Sequence, residues 1–312
     1  MTIDDSNTVG NPLQNLHIGI VGLGLMGGSL ALALRGRVAG LLAVEQRAAT
    51  RQAALGDGIV DAAVEELTPA LPDLDLLVLA TPVRAILDTL DRLPAARPDG
   101  CAVLDLGSTK QAVVAAMDAL PERFAAIGGH PMCGRESAGL AAAAADLYRG
   151  QTFVLCPGRR TTPAVRSTVL AVVEAIGARP LLLDAAEHDT LVAAVSHLPA
   201  LVAAALMRTA ADERQWRVSA SGFRDVSRLA GSDPRMMLDI LLTNRRAILG
   251  ALESYLAELA GVREALIRED EEALMEWLAA AQVGYAGYRR FKSAEHLLPG
   301  ARPADAQTGD IA

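Results

Sequence analysis

The chain has 312 residues and a formal net charge of −8, long enough for two domains with separate cores and too acidic, without any RNA- or DNA-reading motif, for a nucleic-acid binder. Its composition, 51% hydrophobic with 3% aromatic side chains, suits a tightly packed, helix-rich protein. Cys101, Cys133 and Cys156 are odd in number and lack CxxC spacing, which excludes a disulfide framework or a zinc site and points to the reducing cytoplasm.

Residues 1–14 are polar, carry Asp4 and Asp5, and read as a disordered leader rather than a signal peptide. Ile18-Gly19-Ile20-Val21 predicts a short buried strand. It ends in Gly22-x-Gly24-x-x-Gly27, with Gly28 directly after and a helical pattern opening at Ser29. Strand, glycine turn and helix in that order are the context of a dinucleotide-binding fingerprint. The first glycine permits a tight turn, the second lets backbone approach a pyrophosphate, and the third lets the helix pack on the strand. The helix N-terminus offers free N–H groups to the phosphates. Gly22, Gly24, Leu25, Met26 and Gly27 are therefore the candidate cofactor loop.

Gly40–Val44 reads as the second strand, with Glu45 at its carboxyl end. An acidic residue there accepts hydrogen bonds from an adenosine ribose and repels a 2′-phosphate, which favours NAD. Arg47 points the other way, since it can accept the 2′-phosphate of NADP. Leu74–Ala80 is the next strand, ending in Thr81, a further cofactor candidate. Cys101–Leu106 follows, then Phe124–Ile127 leading into Gly128-Gly129-His130. Thr152–Leu155 and Pro180–Leu183 complete the pattern. Strands alternating with helical stretches predict an α/β fold: a doubly wound, largely parallel Rossmann-type domain over 15–183. Ligands on such sheets sit at strand carboxyl ends, where Ser108 and His130 fall.

Past Asp184 the strand-like runs stop. Helical periodicity from Glu187 to Phe291, broken near Trp216–Gly222 and Gly231–Pro234, predicts an all-helical domain over 184–298, followed by a flexible tail over 299–312. The apolar stretch Leu191–Met207 is interrupted by Ser196, His197 and Pro199, and reads as a buried helix rather than a membrane span. A broad stripe of Leu238, Leu241, Leu242, Ile248, Leu249, Leu252, Leu256 and Leu259 predicts packing against a second copy, a homodimer through the helical domain.

Of the histidines, His17, His188 and His296 read as structural. His130 stands on the ligand edge after two glycines and is the candidate for chemistry. His197, mid-helix before Pro199, reads by itself as a buried structural histidine, although the proline weakens the helix there. Asp225 and Arg228 are three apart and can pair on one helical face. Arg228 lies among Val226, Leu229 and Ala230, so its guanidinium is expected to point inward, suited to a carboxylate.

Together, GLGLMGGS (22–29), DLGSTK (105–110), GGHPMCGRESAG (128–139), EHDTLVAAVSHLPALVA (187–203) and SGFRDVSRLAGSDPRMM (221–237) resemble the prephenate/arogenate dehydrogenase family of tyrosine biosynthesis. The resemblance implies NAD(P)-dependent oxidative decarboxylation of prephenate to 4-hydroxyphenylpyruvate, or of arogenate to tyrosine. By the same resemblance His130 is the catalytic histidine engaging the ring C4 hydroxyl, and Ser108 lies between that hydroxyl, the histidine and the nicotinamide. Arg228 then grips a substrate carboxylate and His197 is a second substrate-side histidine. Glu136 and Asp225 become the acidic members of a network holding Arg228. Met237 stands where the family has an aromatic residue, a departure at the far wall of the substrate pocket. Two other readings compete. A β-hydroxyacid dehydrogenase typically uses a lysine from its helical domain, and residues 184–291 contain none. A dinucleotide sensor needs the glycine loop but not His130, Ser108 and Arg228 together.

Overall fold

The computed structural model describes residues 12–135 and 137–296. Eight strands build one sheet: β1 (His17–Val21), β2 (Gly40–Val44), β3 (Ala62–Val64), β4 (Leu76–Leu79), β5 (Ala102–Asp105), β6 (Ala125–Pro131), β7 (Thr152–Pro157) and β8 (Arg179–Leu182). Their order is β3-β2-β1-β4-β5-β6-β7-β8. Every neighbouring pair is parallel except β6 with β7. The helices of this half are α1 (Leu25–Leu34), α2 (Ala48–Gly56), α3 (Val83–Ala96), α4 (Gln111–Asp118) and α5 (Pro163–Ala175).

Alternation along the strands feeds two cores, because successive side chains leave opposite faces. In β4, Leu76 and Val78 join the layer under α1 and α5, while Leu77 and Leu79 join the layer under α3 and α4. A strand covered on both faces needs apolar residues throughout, which is why these runs were continuous rather than alternating. Leu13 is 1% exposed and packs in the first of these cores, so the expected loose leader up to residue 14 fails at that position. Residues 1–11 and the expected tail, 299–312, lie outside the described residues.

One boundary differs in a useful way. The first helix opens at Leu25, not at Ser29, because Gly27 and Gly28 are themselves helical. A Cβ on Gly27 would stand 2.0 Å from the Gly22 carbonyl oxygen, so only glycine lets the helix lie this close to the turn.

The second half is helical: α6 (Ala185–Val192), a π turn over Ala193–His197, α7 (Leu198–Thr209), α8 (Glu213–Trp216), α9 (Ser221–Ser227), a 3-10 turn over Arg228–Gly231, α10 (Pro234–Thr243), α11 (Arg245–Ile267) and α12 (Glu271–His296). The side chain of Asp233 caps α10 by accepting from Met236 N at 2.8 Å, with Pro234 in the first turn. From Ala185 to Thr209 the helix is continuous, but only 28% of its most apolar window is buried, contrary to the expected buried helix. Pro199 has no N–H to donate back to Val195, and the chain absorbs this by widening into the π turn just before it. By length and composition this helix is able to cross a membrane, but α4, β7 and α11 pack along it. Two contacts tie the halves together: the Thr109 hydroxyl meets that of Thr243 at 2.8 Å, and Arg84 N donates to Asp239 Oδ2 at 3.3 Å.

Candidate active site

The strand order reverses between β1 and β4, which opens a crevice at the carboxyl edge. Around that edge stand Gly22 after β1, Glu45 after β2, Thr81 after β4, Ser108 after β5 and His130 at the end of β6.

The cofactor side is built from backbone. Gly22 holds φ +93°, and a Cβ on Gly24 would meet nothing within 4 Å. The N-terminus of α1 has no side-chain cap, so the N–H groups around Leu25 and Met26 are available to a phosphate. Thr81 Oγ1 is buried with no hydrogen-bond partner among the described residues. These features fit a dinucleotide. Glu45 is 7% exposed. Its Oε2 accepts from Leu23 N at 2.9 Å, and its Oε1 accepts from Arg47 N at 3.0 Å and Arg47 Nε at 3.1 Å. Burial alone raises a carboxyl pKa, yet these donors and the guanidinium charge outweigh it and hold Glu45 below its ordinary value. The ambiguity between Glu45 and Arg47 thus takes a physical form: the two side chains are paired.

The substrate side rests on a buried ion pair. Lys110 and Asp105 are both 0% exposed and in direct contact. Asp105 also accepts from Gly107 N at 2.8 Å and Gly129 N at 3.0 Å, while Lys110 Nζ donates to the Gly129 carbonyl at 2.7 Å. The pair therefore fastens the loop just before Ser108 to the strand just before His130. In the sequence Lys110 is marked only as the last residue of the DLGSTK segment.

Behind His130 stands a line of groups that adjacency in sequence concealed. His130 Nδ1 meets His188 Nε2 at 2.8 Å, with the rings 72° apart, and His188 Nδ1 meets Asp189 Oδ1 at 2.8 Å. Asp189 also accepts from Lys110 N at 2.7 Å and Gln111 N at 2.9 Å, capping α4 from another element. His188, expected to be merely structural, is fully buried within the site. Burial pushes His130 well below the ordinary histidine value, and the neighbouring charges of His188, Lys110 and His197 act in the same direction.

His197 is 2% exposed, in the π turn. Asn244 Nδ2 donates to the Asp189 carbonyl at 2.7 Å and approaches His197 Nδ1 at 3.2 Å. An amide N–H only donates, so His197 Nδ1 accepts and its proton sits on Nε2. Burial lowers its pKa to about 4, with Asp189 opposing and His188 assisting.

Arg228 and Asp225 lie at the surface. Arg228, expected to point inward, is exposed on the 3-10 turn that packs against α7. Asp225 is exposed and accepts from Arg224 Nε at 3.4 Å. Glu136 lies outside the described residues. Met237 is half-buried against the small core of Ala193, Ile240 and Ile248.

Comparison with known proteins agrees across both halves. Residues 30–182 match the family model "Prephenate dehydrogenase, nucleotide-binding domain", and residues 184–280 match "Prephenate dehydrogenase, dimerization domain". The chain is 33% identical to a prephenate dehydrogenase of Bacillus subtilis, over 84% of this chain and 73% of that protein. Among solved structures, a prephenate dehydrogenase from A. aeolicus in complex with hydroxyphenyl propionate and NAD+ is 30% identical with a TM-score of 0.82, covering 89% of this chain and 99% of that one. An arogenate dehydrogenase from Synechocystis is 30% identical with a TM-score of 0.74, covering 88% and 100%.

Proposed function

The chain belongs to the prephenate dehydrogenase family, and from that premise we propose that it oxidatively decarboxylates prephenate to 4-hydroxyphenylpyruvate with NAD, in tyrosine biosynthesis in the cytoplasm. Residues 15–183 form the dinucleotide-binding domain and 184–298 the helical domain that completes the substrate site and the dimer. The observation that carries this reading is a half-buried histidine, His130, backed by His188 and standing at the same sheet edge as the glycine loop.

Prephenate is a cyclohexadienol with a carboxylate on its quaternary ring carbon. His130 is the base for the C4 hydroxyl proton, and Ser108 positions that hydroxyl. Gly22, Gly24, Leu25, Met26, Gly27, Glu45 and Thr81 would hold NAD, which would supply a hydride acceptor for C4. As the ketone develops, electrons from the ring–carboxylate bond enter the ring, carbon dioxide leaves, and the aromatic oxygen regains a proton from His130. His197 presents its Nε2–H to the substrate. By the family resemblance Arg228, held in a network with Glu136 and Asp225, is the cation for a dianionic substrate in an acidic chain. Initial rates with prephenate and with arogenate test the assignment. Prephenate is expected to be the faster substrate; a higher kcat/KM for arogenate would reassign it.

Cofactor choice follows from Glu45. A carboxylate held ionised at the ribose end repels a 2′-phosphate, and its pairing occupies Arg47. NAD is expected to give the higher kcat/KM, and Glu45→Gln to narrow the gap. Equal use of NADP by the unaltered protein would mean that Arg47 governs this end of the pocket.

Association is the remaining expectation. Leu238, Leu242, Leu249, Leu256, Met275 and Leu278 on α10–α12 are 48–67% exposed. An apolar face this broad is covered by a second copy of the same face, as a two-fold dimer requires. Light scattering should give about twice the 32.6 kDa chain mass; a monomer at micromolar concentration would sink the idea.

A further inference from the structure

We infer that His188, oriented by Asp189, is a positioning residue that fixes the tautomer of His130 and so aims its basic nitrogen at the substrate. This rests on the reading of His130 as the base and concerns what makes that base usable.

The direction of each hydrogen bond follows from what its partner is able to do. An ionised carboxylate only accepts. Asp189 is placed to be ionised, since it takes two backbone N–H groups at the start of α4 at 2.7 and 2.9 Å. His188 Nδ1, 2.8 Å from the same carboxylate, must therefore carry a proton. A neutral His188 then has its lone pair on Nε2, and the 2.8 Å contact with His130 Nδ1 requires that nitrogen to donate. With its proton on Nδ1, neutral His130 has its lone pair on Nε2, the nitrogen left for the C4 hydroxyl. In the other tautomer Nε2 carries hydrogen and has no lone pair with which to take a proton. When Nε2 does accept the hydroxyl proton, His130 becomes an imidazolium whose Nδ1–H still points at the His188 lone pair. The charge therefore develops against an acceptor already in place rather than against apolar surroundings. No proton need leave His130 along the line for this to work.

His188 and Asp189 are spoken for on every side. Lys110 and Asp105 form their own pair beneath the strand end, and Asn244 ties the Asp189 carbonyl to His197. The line is thus fixed from α4, α6 and the start of α11, and His188, at 0% exposed, has no room to turn.

Nitrogen NMR on histidine-labelled protein reads the tautomer directly and needs no variant: His130 is expected as Nδ1–H and His188 as Nδ1–H. His188→Phe keeps a buried ring but removes the acceptor. It should move His130 towards Nε2–H and lower kcat by about 10²–10⁴-fold while changing KM little. His188→Gln restores an acceptor oxygen, and should recover both the tautomer and at least about tenfold of the lost kcat. Wild-type His130 found as Nε2–H would overturn the inference. So would a folded His188→Phe protein with kcat within about threefold of wild type. His130→Asn separates the two levels. If it keeps full activity, the base assignment itself fails; if it is inactive while His188→Phe is not, only the positioning role does.

Discussion

Replacing Lys110 by methionine is expected to destabilise the fold by about 3–5 kcal/mol, the usual cost of leaving one member of a buried ion pair without its partner. Methionine fills the space of the lysine stem but brings no charge, so Asp105 stays fully buried with only the Gly107 and Gly129 N–H groups to compensate it. Urea unfolding with a fixed slope measures the loss. Adding Asp105→Asn should recover much of it, since removing both charges also removes the desolvation penalty. A loss below about 1 kcal/mol, the worth of a surface pair, would mean that Asp105 takes up a proton when Lys110 is gone. Activity should fall along with stability, because the same pair fastens the loop before Ser108 to the strand before His130.

The larger effect on chemistry belongs to His130. His130→Asn keeps a hydrogen-bonding side chain but cannot accept the hydroxyl proton, so kcat should fall by about 10²–10⁴-fold, the range for a general base. Binding, titrated separately, should change little, because KM need not equal Kd. The pH profile adds an independent check. A base works when deprotonated, so kcat/KM rises with pH through its pKa and falls as pH drops below it. Burial, with the positive Lys110 nearby, holds His130 well below the ordinary histidine value, so the acidic limb should lie below pH 6.5, and it should disappear in His130→Asn. An acidic limb at or above the ordinary value in the free enzyme would contradict the environment described for His130.

Much of the framework was legible because it depends on local patterns. The strand ends carrying Glu45, Thr81, Ser108 and His130 are marked by apolar runs that stop abruptly, and the glycine turn is marked by spacing. β3 was not legible: it is three residues long, at the sheet edge, and half-exposed. Nor was the line behind His130. His188 and Asp189 look like a polar pair near a helix start, and nothing within several residues shows that their partners are His130 and Lys110, 58 and 79 positions away. Asn244 is hidden in the same way, 47 residues from His197. Arg228 shows the opposite error. Apolar neighbours in sequence suggested an inward guanidinium, but they sit on a short helix and a 3-10 turn that leave the residue exposed.

The reaction itself is tested most directly by the product balance of the purified protein supplied with prephenate and NAD. Equal amounts of reduced nicotinamide, carbon dioxide and 4-hydroxyphenylpyruvate are expected. Tight NAD binding with no reduction on adding prephenate, or reduction without release of carbon dioxide, would contradict it.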